Sequence, residues 1–127
     1  MRSRAAVAAT LVVGSLVFVQ LILGGAALLR PLRPDWVSGD FVNAHIGIGH
    51  SIWLISIAPV VLLWRIKPAS RNLRTGGIVL LALSLVQANI IAALGPWTGI
   101  GIMVAHGLAA AVIFTTAVAL AVATLRA

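Results

Sequence analysis

Four apolar runs separated by short polar stretches account for almost the whole chain. The first covers 5–29, interrupted only by Gln20 and small hydroxyl residues, and at about 25 residues it can cross a bilayer with some tilt. Arg2 and Arg4 precede it as they would in a signal peptide, but it is far longer than an h-region of about 7–15 residues and so reads as a helix. The second run covers 41–64, with Asp40 as the expected N-cap and Pro59 as the expected kink. The third covers 76–94 and stops at Gly95-Pro96. The fourth covers 99–125, with Thr98 as a cap. Connections this short make sequential helices pack antiparallel. The pattern predicts an all-α fold, a four-helix transmembrane bundle forming a single membrane domain over residues 1–127.

Composition agrees with the pattern. The chain is 61% hydrophobic and 9% charged, with a mean hydropathy of +1.14, far above a soluble domain. Its 127 residues leave no room for a separate soluble catalytic domain. No cysteine is present, which excludes disulfides, iron–sulfur clusters, thiolate zinc sites and covalently attached c-type haem. The net charge of +7 would suggest nucleic acid in a soluble protein. Here the basic residues lie at the ends of apolar runs and read as topology and headgroup contacts instead. Arg2, Arg4, Arg65, Lys67, Arg71, Arg74 and Arg126 fall on one side. Arg30 and Arg33, balanced by Asp35 and Asp40 and accompanied by the interfacial Trp36, fall on the other. The positive-inside rule then predicts a multi-pass protein of the cell membrane with both termini cytoplasmic.

The first two runs repeat loosely in the last two. Gln20 answers to Gln87 on the odd-numbered runs, and His45 answers to His106 on the even-numbered ones, each histidine followed four positions later by a small residue, Gly49 or Ala110. Two helices per unit return the chain to the same side. The expectation is two antiparallel helix pairs related by a pseudo-two-fold along the membrane normal. At about 1.5 Å per residue, His45 lies roughly 6 Å, His106 about 10 Å and His50 about 14 Å from the outer ends of their runs.

Ionisable groups inside a membrane need partners, because hydrocarbon offers none. A haem held by two histidines needs imidazoles on opposite sides of a flat ring at similar depth. His45 and His106 are the expected axial ligands of a non-covalent haem b. Gly47, Gly49, Gly99, Gly101 and Gly107 would allow the macrocycle to approach the helices. His45 and His50 are five residues apart, about 140° on a helix, so only one can serve a given iron and His50 stands as the substitute. Zinc lacks acidic or thiolate ligands in this layer. Gln20, Gln87, Asn43 and Asn89 could orient the imidazoles or line the cofactor edge, with interhelical hydrogen bonding as the simpler role. Arg30 and Arg33 could pair with propionates.

The run Gln20-Leu-Ile-Leu-Gly24-Gly25, His45 on the next helix, then Gln87 and His106-Gly-Leu-Ala-Ala110, resembles one four-helix half of the haem A synthase family. That resemblance implies paired histidines from the second and fourth helices ligating or facing haem. His45-Ile-Gly-Ile-Gly49-His50 is also similar to the second helix of small four-helix bacterial membrane proteins carrying His-x-x-x-Gly-His. The chain departs from the synthase pattern where Val42 replaces a glutamate and Ile46 an arginine, and the synthases' outer-loop cysteines are absent.

The expected function is therefore an integral membrane b-type haem protein for electron transfer or haem handling. Two filled axial positions leave none open for oxygen. The rivals are a compact haem A synthase-like oxidase acting on a haem substrate, and a structural or small-solute membrane protein without metal. Expected partners are the lipid bilayer, a quinone or a respiratory subunit, and a second copy through small stretches such as Gly24-Gly25-Ala26-Ala27, with no nucleic acid.

Overall fold

A computed structural model describes residues 2–29, 39–66, 70–91 and 100–127, all helical apart from short ends and with no strand among them. Arg30, Arg33, Asp35, Trp36, Lys67, Gly95, Pro96, Thr98 and Gly99 lie outside the described residues, and so do the roles expected of them. The helices are α1 (Arg2–Leu29), α2 (Gly39–Ile55), α3 (Ile57–Arg65), α4 (Arg71–Val86), a π-helical turn (Gln87–Ile91) and α5 (Ile100–Leu125). Among the described residues, three stretches are long and apolar enough to cross a membrane: Arg4–Ala26, Asn43–Arg65 and Val104–Leu125. These are compatible with a multi-pass membrane protein.

The expected second run is α2 and α3, one rod interrupted at Ser56. Pro59 has no N–H to give to the carbonyl of Ile55, so the ladder loses a bond there. The buried Ser56 hydroxyl lies 2.8 Å from the Ile52 carbonyl and 3.1 Å from Ser84 Oγ on α4, pinning the interruption to its neighbour.

Three boundaries correct the sequence expectation. Asp40 lies within the first turn of α2, which already begins at Gly39; there its carboxylate complements the positive end of the helix dipole instead of capping the helix. The third helix begins at Arg71, five residues before the expected start at Gly76. Ser70 caps it, its Oγ accepting from the Leu73 N–H at 3.3 Å. The polar residues 71–75 look like a connection on hydropathy alone, yet Leu73 is buried and the Arg74 guanidinium lies 5.3 Å over the Trp64 ring, which holds this turn against α3. The first helix likewise starts at Arg2 rather than Ala5.

The most extensive interface joins α1 and α5. Ala6, Thr10, Val13, Val17 and Gln20 on α1 are buried, as are Ala110, Ile113, Ala117, Leu120 and Thr124 on α5, each series stepping by three or four residues. Small side chains let these backbones come close, with Gly14 against Ala117, as apolar helices without a hydrophobic drive between them require. Thr10 and Thr124 return their hydroxyls to the carbonyls of Ala6 and Leu120, both at 2.7 Å, and so need nothing from another helix.

Around the molecule, α1 packs on α2 and α3 to one side and on α5 to the other, while α4 packs on α3, α2 and α5. Among the described residues no Cα of α2 or α3 comes within 8 Å of one on α5, and none of α1 within 8 Å of one on α4. The four rods therefore stand at the corners of a square, with α2–α3 diagonal to α5.

A Cβ on Gly77 would lie 3.1 Å from Leu63 Cδ1 and 3.5 Å from the Val60 Cα, whereas one on Gly47 meets nothing within 4 Å. Gly77→Val should destabilise the fold by roughly 1–3 kcal/mol through overpacking. Gly47→Ala should leave it unchanged or slightly more stable. Reversible unfolding in mixed micelles reads both, and equal effects would refute the packing of α3 on α4.

Candidate functional site

His45 on α2 and His106 on α5 meet across the diagonal, their ring centroids 5.9 Å apart and their planes inclined at 71°, edge to face. Among the described residues, no Cα–Cα approach within 8 Å between α2 and α5 accompanies this meeting. Both histidines are half-buried, and both are held from a third direction. Gln20 on α1, only 7% exposed, donates its Nε2–H to the His45 carbonyl at 2.5 Å. Gln87, the first residue of the π turn, donates its Nε2–H to the His106 carbonyl at 2.7 Å. The same Gln87 nitrogen lies 2.9 Å from His106 Nδ1. Each half of the chain thus makes one arrangement, a glutamine on one rod bonded to the peptide carbonyl of a histidine on the next.

This arrangement explains the small residue four positions after each histidine. In a helix the side chain at i+4 overlies the turn containing residue i. A Cβ on Gly49 would lie 2.7 Å from Gln20 Nε2, so glycine there leaves the opening through which the amide reaches His45. Ala110, buried on α5, occupies the matching position beside His106. Gly49 therefore faces the amide of Gln20, a use of its missing side chain that differs from the expected clearance for a planar ring. Gly24, one turn after Gln20, does the corresponding service for the imidazole: its Cβ would stand 3.2 Å from His45 Cε1. The signal for Gly24 was the Gln-x-x-x-Gly spacing, which puts both residues on one face of α1. Nothing in the residue pattern announced the π turn at Gln87, a distortion that often marks functional positions.

The ring nitrogens differ. A carbonyl can only accept, so His50 Nδ1, 2.9 Å from the Ile46 carbonyl, carries a proton. An amide nitrogen can only donate, so His106 Nδ1 accepts from Gln87 and the neutral ring carries its proton on Nε2. His45 Nδ1 is buried without a hydrogen-bond partner, as are Gln20 Oε1 and Gln87 Oε1.

The remaining candidates stand apart. His50, the substitute ligand, is exposed and bonded to its own helix, away from the facing pair. Asn43 is exposed, and Asn89 is exposed with its Nδ2 donating to the Leu85 carbonyl at 3.0 Å. The site therefore brings together Gln20, Gly24, His45, Gly49, Gln87 and His106. Gly47, Gly101 and Gly107 have open space where a Cβ would stand.

No protein-family model, curated protein or solved structure matches the chain.

Among the described residues no cluster of three or more histidines and carboxylates gathers. Two imidazoles are too few for a structural zinc site, which takes four ligands. They are the number a haem iron needs, because the macrocycle supplies the rest.

Gln20→Leu and Gly49→Ala should each cost about 1 kcal/mol, since each removes the same interhelical bond. The double variant should lose little more than either alone. A double-mutant cycle on unfolding free energies tests this, and simple additivity would show that the amide does not pass over Gly49.

Proposed function

We propose that this chain is an integral membrane protein that holds a b-type haem non-covalently on the diagonal between α2 and α5, with His45 and His106 as axial ligands. The observation that carries the reading is the facing pair itself. The two imidazoles come from rods on opposite sides of the diagonal, with ring centroids 5.9 Å apart, and among the described residues those rods have no Cα pair within 8 Å; two imidazoles are the number of axial ligands that one haem iron takes. The donor set fits in number. Two adjustments go with loading: the edge-to-face contact between the rings must open, and His106 must present a bare Nε2.

The glutamine–histidine bonds support two helix pairs related by a pseudo-two-fold along the membrane normal, with Gln20 and His45 exchanged for Gln87 and His106. That relation agrees with the resemblance to one half of the haem A synthase family. The distribution of basic residues favours a cell-membrane protein with both termini cytoplasmic, which would put the histidine pair in the outer leaflet. Haem, when bound, supplies a one-electron couple. The chain's own residues would supply two ligands at a fixed depth. Electron transfer, with a quinol or a respiratory subunit as donor, suits a centre with both axial positions filled. The absence of an acidic residue or arginine beside His45, where Val42 and Ile46 stand, favours this carrier role over oxidation of a haem substrate.

Reduced-minus-oxidised optical spectra of the purified protein should show a low-spin b-type signal that is lost in His45→Ala and in His106→Ala and kept in His50→Ala. Retention in His106→Ala would overturn the ligand assignment. Extracted haem should be haem B alone; haem O or haem A in the extract would favour the oxidase reading.

A further inference from the structure

Buried side-chain atoms without a hydrogen-bond partner collect in one place. Gln20 Oε1, Gln87 Oε1 and His45 Nδ1 all belong to the site, and the remaining one among the described residues, Arg74 Nε, lies far from it on α4. Such atoms are rare in folded proteins because each forfeits hydrogen bonds that water would have supplied. Other buried hydroxyls, those of Thr10, Ser84 and Thr124, find carbonyls on their own helices. Apart from Arg74 Nε, the unsatisfied atoms among the described residues belong to the ring of His45 and to two carboxamides whose nitrogens are already committed to histidine peptides.

We infer that Gln20 and Gln87 are positioning residues that decide which ring nitrogen of His45 and of His106 is bare. In the ligand-bearing state each carboxamide spans one histidine: Nε2–H donates to its peptide carbonyl, and Oε1 accepts Nδ1–H from its ring. This inference rests on the haem reading for its purpose, though not for its geometry. At His45 the pairing joins two orphaned atoms, Gln20 Oε1 and His45 Nδ1, in a single bond. At His106 the carboxamide tilts about its bond to the peptide carbonyl, so that Oε1 replaces Nε2 opposite Nδ1. One proton leaves His106 Nε2 and one is gained at Nδ1, so the ring stays neutral throughout. Both histidines then present a bare Nε2 across the diagonal. Ligating histidines in general depend on an acceptor for the second ring N–H, which fixes the tautomer and raises the basicity of the ligand nitrogen. His50 already has this form through the Ile46 carbonyl, but on the exposed face.

Interhelical glue, the simpler role, requires only the bonds from Nε2. The two roles separate in two measurements. The first uses ¹⁵N spectra of the histidine rings in the haem-free protein. Wild type should show His106 as the Nε2–H tautomer, with Gln87→Leu moving it to a tautomer mixture and leaving His50 as Nδ1–H. An unchanged His106 pattern in Gln87→Leu would overturn the inference whether or not haem binds. The second is the midpoint potential of the haem-loaded protein. Gln20→Glu and Gln87→Glu should lower it, because a carboxylate accepts Nδ1–H more strongly, whereas the Leu variants should raise it. Potentials unmoved by all four substitutions, in proteins that stay folded and low-spin, would leave the glutamines as glue and overturn the inference. Failure of wild type to take up haem would sink the haem reading, while the tautomer claim would still be decided by the ¹⁵N pattern.

Discussion

A polar group in an apolar bundle must find its partner inside the protein, and this constraint shapes the chain more than any apolar contact does. Among the described residues, the hydroxyls of Thr10, Ser51, Ser84, Thr115, Thr116 and Thr124 meet the requirement locally, by folding back onto the carbonyl one turn earlier. Gln20 and Gln87 do not. Their side chains reach a neighbouring rod and end on the peptide carbonyls of His45 and His106. The surrounding choices follow from that reach. Gly49 leaves an opening for the amide of Gln20, and Gly24 gives the His45 ring a place to lie. Ala110 keeps the equivalent position on α5 small.

The square arrangement gives the two histidines their relation. Contacts run around the perimeter, strongest between α1 and α5, and the diagonal between α2 and α5 is free of backbone contact among the described residues. The imidazoles of His45 and His106 meet across it. Histidines can be accommodated in a membrane helix without leaving the helix that carries them, as His50 demonstrates through the Ile46 carbonyl. Bringing two of them together across the diagonal, and fixing each with a glutamine from a different rod, is a costlier arrangement that stability alone does not call for.

Much of this was legible in the residues. Run lengths located four rods, and Pro59 marked the interruption between α2 and α3. The five-residue spacing of His45 and His50 placed them on different faces, as the structure finds. The Gln20–Gln87 and His45–His106 correspondence, read from a handful of positions, corresponds to matching hydrogen bonds. The start of α4 was hidden because hydropathy does not register a helix turn held by a serine cap and by an arginine over Trp64. The reason for Gly49 was hidden for another cause: glycine signals close approach without naming what approaches, and here it is an amide from α1. Asn43 and Asn89 looked equivalent to the glutamines in composition. They fall on outward faces, which periodicity around one uncertain helix register could not distinguish.

The claim on which the functional reading turns is that the diagonal pair forms one iron-binding unit. Titration of folded, haem-free protein with haem b in micelles, followed by electron paramagnetic resonance of the oxidised iron, tests it most directly. The account predicts saturation at one haem per chain with a wholly low-spin signal from two imidazole ligands. A five-coordinate high-spin signal, or uptake that never saturates, would contradict it.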